Sequence, residues 1–433
     1  MSTASKLAPR KLLVAMLRHW RDSPLLRRVG ALSSGTALAQ GIQLLNLVAL
    51  AKLYPLPEVG TYSLFLAIVG TLAPVALLGY EMLIPTTSDE DLGPFLQALL
   101  LLIPPIILLI GLVSILVSYG HALAVSMWVA GATTLRLTEM HNVRRNHFRW
   151  IAAARLAPPL AMTTLLVAVA WHGRHDIDRL IVWQAGLTLF LGLIYAILTL
   201  PRQRLGTTHG WMQMCKTLRK SASAPLYLMP SNLLNLAAYN APVLVIGHGF
   251  GPELAAQYAY VLRFGFGPVG LVGGTLYQVF YGFLAEAART GNDAMLGQFA
   301  RARRFIGYAA LAAVLAMALV YPLAFRYVLG AAWMTAGWIA MIFAPFFAAM
   351  LYLTPLSVSL NVFGRQHFEL KTQAHYFVIS VLAFGLAVLV GNAWVGFVLF
   401  SALGCLRYAL LLRDINKVLV EHRVIGHEFV ARP

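Results

Sequence analysis

The sequence predicts an all-α membrane protein of about twelve transmembrane helices, arranged as two pseudo-symmetric six-helix halves. Apolar residues make up 59% of the 433-residue chain and charged residues only 11%, whereas a soluble domain is about half apolar and a quarter charged. The apolar residues form runs long enough to cross a bilayer, which takes about 20 residues in a helix. In addition, a short motif before the second run recurs 195 residues later.

Twelve apolar runs qualify as spans. They cover residues 31–53, 60–84, 95–118, 122–142, 152–171, 180–200, 225–248, 255–285, 305–329, 338–362, 373–391 and 393–412. The segments between them have turn chemistry, as in 54–60 (YPLPEVG) with two prolines and 85–94 with a proline at each end. Because these connections are short, neighbouring helices are expected to pack antiparallel.

Three polar segments lie outside the spans. Residues 1–30 form a basic N-terminal tail, whose apolar stretch 12–17 is too short for a signal-peptide core. Residues 201–224 form the longest polar connection and separate an N-terminal half, 31–200, from a C-terminal half, 225–412. Residues 413–433 form a C-terminal tail. We expect all three segments to be cytoplasmic.

The distribution of Lys and Arg predicts the orientation. With the N terminus inside, 27 of them fall on the inner side and five on the outer side, while Arg136 falls within a span. Cytoplasmic loops of membrane proteins carry such an excess. Both termini are therefore predicted to be cytoplasmic in a bacterial-type inner membrane. The net charge of +17 is then an orientation signal, and no nucleic-acid partner is expected.

The recurring motif supports two related halves. Pro57 and Glu58 precede the second span, and Pro252 and Glu253 precede the eighth. In both copies a tyrosine follows the glutamate after four or five positions. The offset corresponds to six spans, so both copies face the same side of the membrane. Transporters use two halves related in this way, with the substrate site between them.

The N-terminal third resembles polysaccharide repeat-unit flippases of the multidrug/oligosaccharidyl-lipid/polysaccharide exporter superfamily. The similar segments are 35–40 (GTALAQ), 52–70 (KLYPLPEVGTYSLFLAIVG) and the Tyr80-Glu81 pair before Pro85. The region around Trp333 and the segment 363–366 (FGRQ) also fit the pattern. The resemblance is specific over about the first 95 residues and diffuse afterwards. One departure is Gly79, where such proteins often carry an arginine.

The resemblance implies a MATE-like fold and export of an undecaprenyl-pyrophosphate-linked oligosaccharide for O-antigen, capsule or exopolysaccharide synthesis. It also implies partners, namely membrane lipids, a polysaccharide polymerase and export machinery. No cofactor or metal is expected. The sequence has no GxxxxGK[ST] motif for ATP, and its two cysteines, Cys215 and Cys405, are far apart.

Polar residues within the spans are the candidate substrate-binding residues, because intramembrane polar groups usually face a cavity. Spans one and seven begin the two halves, and each carries one polar stripe. The stripes comprise Thr36, Gln40, Gln43 and Asn46 in span one, and Ser231, Asn232, Asn235 and Tyr239 in span seven. Hydrogen bonding between neighbouring helices is the alternative role for these residues.

Four charged residues within spans are further candidates. Arg263 is predicted either to bind pyrophosphate or to reach the outer surface. Arg136 and Glu139, three positions apart on span four, are predicted to pair or to contact substrate. Glu81, near the inner end of span two, is a candidate site for a coupling proton or cation.

Three alternative functions remain open. Asp89 and Asp91 form a DxD motif, as in metal-dependent glycosyltransferases, so a membrane-embedded glycosyltransferase or polysaccharide polymerase is possible. We disfavour an enzyme, since the motif falls on the inner side and the outer loops are short. A multidrug or cation antiporter would need deep carboxylates, of which the spans carry few. A lipid II flippase resembles a fourteen-span design.

Overall fold

The computed structural model describes residues 24–116, 120–173, 176–200, 210–222, 224–290, 293–363 and 367–421. This part of the chain is all-helical, as predicted. Residues 1–23 of the predicted N-terminal tail, 1–30, and residues 422–433 of the predicted C-terminal tail, 413–433, lie outside it. Residues 201–209 of the linker and 364–366 of the FGRQ segment also lie outside it.

Helices α1 to α6 form the N-terminal half and α8 to α14 the C-terminal half, with α7 between them. The N-terminal helices are α1 (Pro24–Leu53), α2 (Leu56–Leu72), α3 (Asp89–Leu116), α4 (Ala122–Arg144), α5 (Phe148–His172) and α6 (Ile177–Thr199). The others are α7 (Trp211–Lys220), α8 (Met229–Phe250), α9 (Pro252–Thr290), α10 (Asp293–Ala324), α11 (Met334–Leu356), α12 (Val358–Val362), α13 (His367–Val390) and α14 (Ala393–Glu421).

Ten helical segments in the described residues are long and apolar enough to cross a membrane, so the protein is a multi-pass membrane protein. The predicted count of about twelve is not confirmed. The two predicted spans at 122–142 and 255–285 lie in α4 and α9, which are less apolar, and neighbouring helices enclose much of α4 and the beginning of α9. Residues 137, 138, 141 and 142 of α4 and 255–261 of α9 are all buried, and such a helix need not present an apolar surface to lipid.

The predicted span 60–84 is not one continuous helix. Helix α2 ends at Leu72, and two short 3₁₀ turns follow, Ala73–Val75 and Tyr80–Leu83. Pro74 has no N–H to continue the helical ladder. Between the turns, Leu78 and Gly79 have positive φ angles of 53° and 77°. A left-handed backbone favours glycine, which explains the glycine at position 79.

The two halves repeat one packing scheme. In the N-terminal half α1 packs on α5, α3 on α4, α4 on α6, and α5 on α6. The corresponding pairs in the C-terminal half are α8 with α13, α10 with α11, α11 with α14, and α13 with α14. The equivalent of α1 is therefore α8, and the equivalent of α2 is α9. Pseudo-symmetry predicted from one short motif thus extends to the helix arrangement.

The two halves meet through the helices that begin them. Helix α2 packs against both α8 and α9, and α1 also touches α9. At Gly60 of α2, an added Cβ would lie 2.1 Å from the carbonyl oxygen of Pro252. At Gly247 of α8, it would lie 2.4 Å from a methyl of Leu64. Close approach through glycine is the usual way for membrane helices to pack without a side chain between them.

The C-terminal half has an aromatic core that encloses the side chain of Arg407. The guanidinium of Arg407 lies 5.1 Å from the ring centre of Tyr376 and 4.5 Å from that of Tyr408. Arg407 lies in the predicted span 393–412, and α14, which continues to Glu421, places it inside the half. Cation–π contacts of this kind are strongest away from water, so the aromatic rings stabilise a charge that would otherwise be costly to bury.

The linker helix α7 is amphipathic and packs on the beginning of α3. Met214 and Thr217 are buried, whereas Trp211 and Met212 are 72% and 84% exposed. Lys220 Nζ lies 3.1 Å from Asp91 Oδ2. Helix α7 therefore lies beside the end of α3 that carries Asp89, Glu90 and Asp91.

Candidate functional site

A cavity of about 440 Å³ lies between the two halves. Its walls come from α1, α2, α8 and α9, with Met350 of α11. The polar side chains that line it are Gln40, Gln43, Tyr239, Asn240 and Arg263, and the apolar ones include Leu44, Leu47, Val243, Leu262 and Phe266. This position between the halves is the one that the repeat predicted for a substrate site.

A second cavity, of about 430 Å³, lies within the N-terminal half. We call it the N-half cavity and the first one the central cavity. The N-half cavity is lined by a larger set of polar side chains, namely Thr36, Gln40, Gln43, Asn46, Tyr62, Arg136, Glu139, Arg155, Gln184, Thr188 and Arg263. Gln40, Gln43 and Arg263 line both cavities, so the two spaces adjoin along one face of α1.

Arg263 lies at the junction of the two cavities. It lines both spaces, while its predicted role in binding an anion stays a prediction. Its Nη1 is buried and has no hydrogen-bond partner in the described part of the chain. A buried guanidinium that retains an unused donor is costly unless an anion or a polar group occupies the space beside it. Arg263 is accordingly the strongest candidate for binding an anionic group.

The polar stripe of span one has two different roles. Asn46 is buried and bonds to α5, donating from Nδ2 to the carbonyl of Pro159 at 2.7 Å and accepting from the hydroxyl of Thr163 at 2.8 Å. It contacts the wall of the N-half cavity, but both ends of its amide are used. Gln43 and Gln40 lie about one and two turns earlier and face both cavities. They are the residues of this stripe that present amides to a ligand.

The polar stripe of span seven is only partly at a cavity. Tyr239 lines the central cavity and packs edge-on against Phe266, with the ring centres 4.4 Å apart. Asn232 and Asn235 are not among the lining residues of either cavity, and Asn232 Nδ2 lies 3.4 Å from the sulfur of Met82. The side chain of Ser231 lies outside the described set. The amide of Asn240, which the stripe did not include, does line the central cavity.

An ion-pair cluster occupies the N-half cavity. Arg136 Nη1 lies 3.3 Å from Glu139 Oε2, as the spacing on span four predicted. Arg155 of α5 binds the other oxygen of the same carboxylate, with Nη2–Oε1 and Nε–Oε1 distances of 2.7 Å and 2.9 Å. Arg155 also donates from Nη1 to the hydroxyl of Thr36 at 2.7 Å. The cluster thus connects α1, α4 and α5.

Sequence reasoning missed Arg155. It lies near the start of the predicted span 152–171 and was included among the inner-side charges, but α5 begins at Phe148 and carries Arg155 two turns into the half. The sequence signal for its environment is Pro158-Pro159. Prolines within a helix leave backbone carbonyls without their usual N–H partners, so polar side chains are expected nearby. Tyr62 was noted only as part of the repeat, yet its hydroxyl donates to Gln184 Oε1 at 2.7 Å inside the same cavity.

Glu81 lies in the second 3₁₀ turn, Tyr80–Leu83, and is 3% exposed. Its Oε2 is buried and has no hydrogen-bond partner in the described residues. It is not a lining residue of either cavity. A role of Glu81 in binding a coupling proton or cation stays a prediction.

The acidic trio at 89–91 is occupied by structural contacts. Arg144, at the end of α4, binds Asp89 Oδ1 at 3.1 Å, and it also donates to the carbonyl oxygens of Ile84, Pro85 and Thr87. Asp91 pairs with Lys220. Both carboxylates of the DxD motif therefore neutralise basic side chains and hold α3, α4 and α7 together. No group of three metal-ligating side chains is found within the described ranges.

The fold is that of lipid II flippases and MATE transporters. A structure of the lipid II flippase MurJ in an inward closed conformation matches with a TM-score of 0.69 and 14% identity, covering 89% of each chain. An inward-facing multidrug resistance MATE family transporter of the MOP superfamily matches with a TM-score of 0.63 and 12% identity, over 87% of this chain and 94% of the other.

A MATE transporter of Vibrio cholerae matches with a TM-score of 0.55 and 15% identity, over 92% of this chain and 97% of the other. No protein-family model matches the sequence, and no curated protein matches it. At such low identities the likeness establishes the MurJ/MATE-like fold, as the resemblance had implied, and leaves the substrate to be argued from the cavities.

Proposed function

We propose that the protein is a flippase for undecaprenyl-pyrophosphate-linked oligosaccharide repeat units. It moves them from the cytoplasmic to the periplasmic leaflet by alternating access, for synthesis of O-antigen, capsule or exopolysaccharide. The observation that carries the proposal is Arg263, a buried guanidinium with an unused donor where the two cavities meet. Guanidinium groups bind phosphate oxygens in a bidentate way, so Arg263 is assigned to the pyrophosphate.

The side chains around Arg263 suit a sugar. Gln40, Gln43 and Asn240 offer amides, and Tyr239 offers a hydroxyl and an aromatic edge. Amides both donate and accept hydrogen bonds, as sugar hydroxyls require. Arg136 lies farther along the N-half cavity. Asn46 supports the site by holding α1 on α5, while Asn232 and Asn235 are assigned a contact with substrate only in another state of the cycle.

Alternating access needs two halves that move as units, and we assign these to residues 31–200 and 225–412, joined by the linker 201–224. The end that carries the Pro57 and Pro252 turns is closed by backbone contact. Because this end is predicted to be periplasmic, the structure represents an inward-facing or closed state. Two negative charges leaving the cell interior gain about 4–5 kcal/mol at 100 mV, at about 2.3 kcal/mol per charge. Glu81 is the proposed site for a coupling ion.

The proposed location is the inner membrane of a bacterium, with both termini cytoplasmic. The proposed partners are the lipid-linked oligosaccharide, membrane lipids, and the polymerase and export machinery that use the flipped product. No nucleic acid takes part, because the excess of Lys and Arg is explained by the predicted orientation.

A lipid II flippase is the second candidate, favoured by the likeness to MurJ. Lipid II also has a pyrophosphate, so Arg263 would bind either substrate. The two candidate functions therefore differ in the sugar that the site must accept. A multidrug or cation antiporter fits less well. Among the described residues that line the two cavities there are three arginines and one glutamate, and this excess of positive charge repels an organic cation.

The deciding experiment is deletion of the gene, followed by analysis of surface glycan and of lipid-linked intermediates on each leaflet. We expect complete repeat units on the cytoplasmic leaflet and loss of the polymer. Complementation with Arg263→Ala should fail, whereas Arg326→Ala, which removes an exposed arginine, should restore the polymer. Accumulation of lipid II would favour the second candidate, and accumulation of incomplete repeat units would favour an enzyme. Increased drug sensitivity with normal glycan would favour the antiporter.

A further inference from the structure

The N-half cavity has an uneven charge. Three guanidinium groups line it, from Arg136 on α4, Arg155 on α5 and Arg263 on α9, against the single carboxylate of Glu139. Two positive charges therefore remain in the described lining. The substrate of the proposed function carries about two negative charges on its pyrophosphate, so the lining and the ligand have matching charge.

Glu139 is shared by two arginines. One carboxylate oxygen binds Arg155 at 2.7 Å and the other binds Arg136 at 3.3 Å. The carboxylate is mostly buried, with 13% of its side chain exposed, while the side chains of Arg155 and Arg136 are 32% and 40% exposed. Both arginines are therefore accessible from the cavity while they are paired.

We propose that Arg155 is a second anion-binding residue of the transport site and that Glu139 competes with the substrate for it. The proposal rests on the proposed function and assigns a further part of the same site. When pyrophosphate enters, Arg155 leaves Glu139 for a phosphate oxygen, and Arg136 keeps the carboxylate neutralised. Guanidinium binds both phosphate and carboxylate oxygens, so Arg155 can exchange one anionic partner for the other.

Arg155 and Arg263 are connected along the wall that α1 forms beside both cavities. Arg155 reaches α1 through Thr36 at 2.7 Å, and Gln40, one turn later on α1, lines both cavities. An anion held by Arg263 at the junction therefore lies along the same wall as Arg155.

Competition by Glu139 serves release of the substrate. A transport site must bind well enough to load and weakly enough to unload. Three arginines without a competing carboxylate would hold a pyrophosphate tightly in both states. Glu139 returns to Arg155 when the substrate leaves, and the returning carboxylate stabilises the empty site.

The test measures binding of farnesyl pyrophosphate to the full-length protein in phosphatidylcholine nanodiscs. Glu139→Gln should tighten the Kd by roughly tenfold, which is the effect of freeing one charge-assisted hydrogen-bond donor. Arg155→Gln should weaken binding, and it should abolish the gain in the double variant Glu139→Gln/Arg155→Gln. Farnesol, which has no phosphate, should bind all variants equally. Asp178→Asn is the matched control, because it removes the His121–Asp178 pair of 2.9 Å between α4 and α6.

The outcomes separate this proposal from the proposed function. If the Kd of wild type depends on Arg263 but is unchanged in Glu139→Gln and Arg155→Gln, only the present proposal is wrong. If farnesyl pyrophosphate does not bind wild type at all, both proposals are wrong. If Glu139→Gln fails to fold, Arg155→Lys gives a second test, since a lysine lacks the bidentate fork. It should weaken the Kd, and an unchanged Kd would overturn the proposal.

Discussion

Gly60 and Pro252, one from each copy of the repeat, are in backbone contact. A Cβ at Gly60 would lie 2.1 Å from the carbonyl oxygen of Pro252 and 2.4 Å from its carbonyl carbon. Neither atom belongs to a side chain that can rotate away. The two halves are therefore closed at this end of the molecule by a glycine, and the motif that revealed the repeat is also the place where its copies meet.

Gly60→Ala should open this contact. The new methyl group displaces the Pro252 turn, and overpacking of this kind costs about 1–3 kcal/mol. We expect a lower melting temperature in detergent and a shift towards the state that is open at this end. Double electron–electron resonance between spin labels on the two halves measures that shift directly.

Gly385→Ala is the control for this substitution. Gly385 is also helical, but an added Cβ meets no atom within 4 Å. The replacement should leave the spin-label distances unchanged and should keep or slightly raise the melting temperature, because alanine favours a helix over glycine by about 0.5–1 kcal/mol. Equal distance distributions in both variants would refute the idea that Gly60 closes this end.

Apolar run length predicted the helices well but not their surroundings. Each of the twelve predicted spans corresponds to helical structure, because a long apolar run has few other solutions in a membrane. Apolar run length does not reveal which helices are enclosed by other helices. Helix α4 can carry Arg136 and Glu139 because protein surrounds it. Its hydropathy is therefore too low for it to be counted among the ten described helices that are apolar enough to cross a membrane. The break after Leu72 depends on Pro74 and on the positive φ at Gly79, which an apolar count ignores.

The candidate site could be predicted where charge and burial coincide. Arg263 could be identified because a charged side chain within a span is costly and usually has a functional role. Arg155 was not, because it lies near the start of the predicted span 152–171, where a basic residue is expected to be an inner-side orientation signal. Periodicity placed Asn46 on the same face as Gln40 and Gln43, but periodicity gives the face of a helix and not the hydrogen-bond partner. The partners of Asn46 are on α5, more than 110 residues away.

Substitutions at Asn46 and Gln43 should have different effects, the first on stability and the second on transport. Asn46→Ala leaves the Thr163 hydroxyl without its acceptor on α1 and removes the bond to the Pro159 carbonyl, so we expect a loss of about 1–3 kcal/mol. Gln43→Ala removes an exposed amide and should leave the melting temperature unchanged while transport of the lipid-linked substrate falls. Thermal melting and a flipping assay on the same preparations test both. Loss of transport without loss of stability in Asn46→Ala would contradict the structural role.

Glu81→Gln should uncouple transport from an imposed gradient. Glutamine has the same shape but cannot take up a proton or hold a cation by charge. We expect the variant to fold, because the buried Oε2 has no hydrogen bond to lose in the described structure. In vesicles, wild-type flipping should accelerate when a proton or sodium gradient is imposed, and flipping by Glu81→Gln should not. Acceleration of equal size in both proteins would exclude Glu81 as the coupling site.

Cys215 provides a test of the predicted orientation. It lies on α7 and is exposed, whereas Cys405 is only half-exposed within α14. A membrane-impermeant maleimide should therefore label Cys215 in inside-out vesicles and not in intact spheroplasts. Asn392→Cys, placed in a Cys215→Ser background, should show the reverse, because Asn392 lies in the exposed turn between α13 and α14. Labelling of Cys215 from the outside would reverse the assignment of every loop. The proposed export from the inner leaflet would then be contradicted, since the end closed by Gly60 and Pro252 would face the cytoplasm.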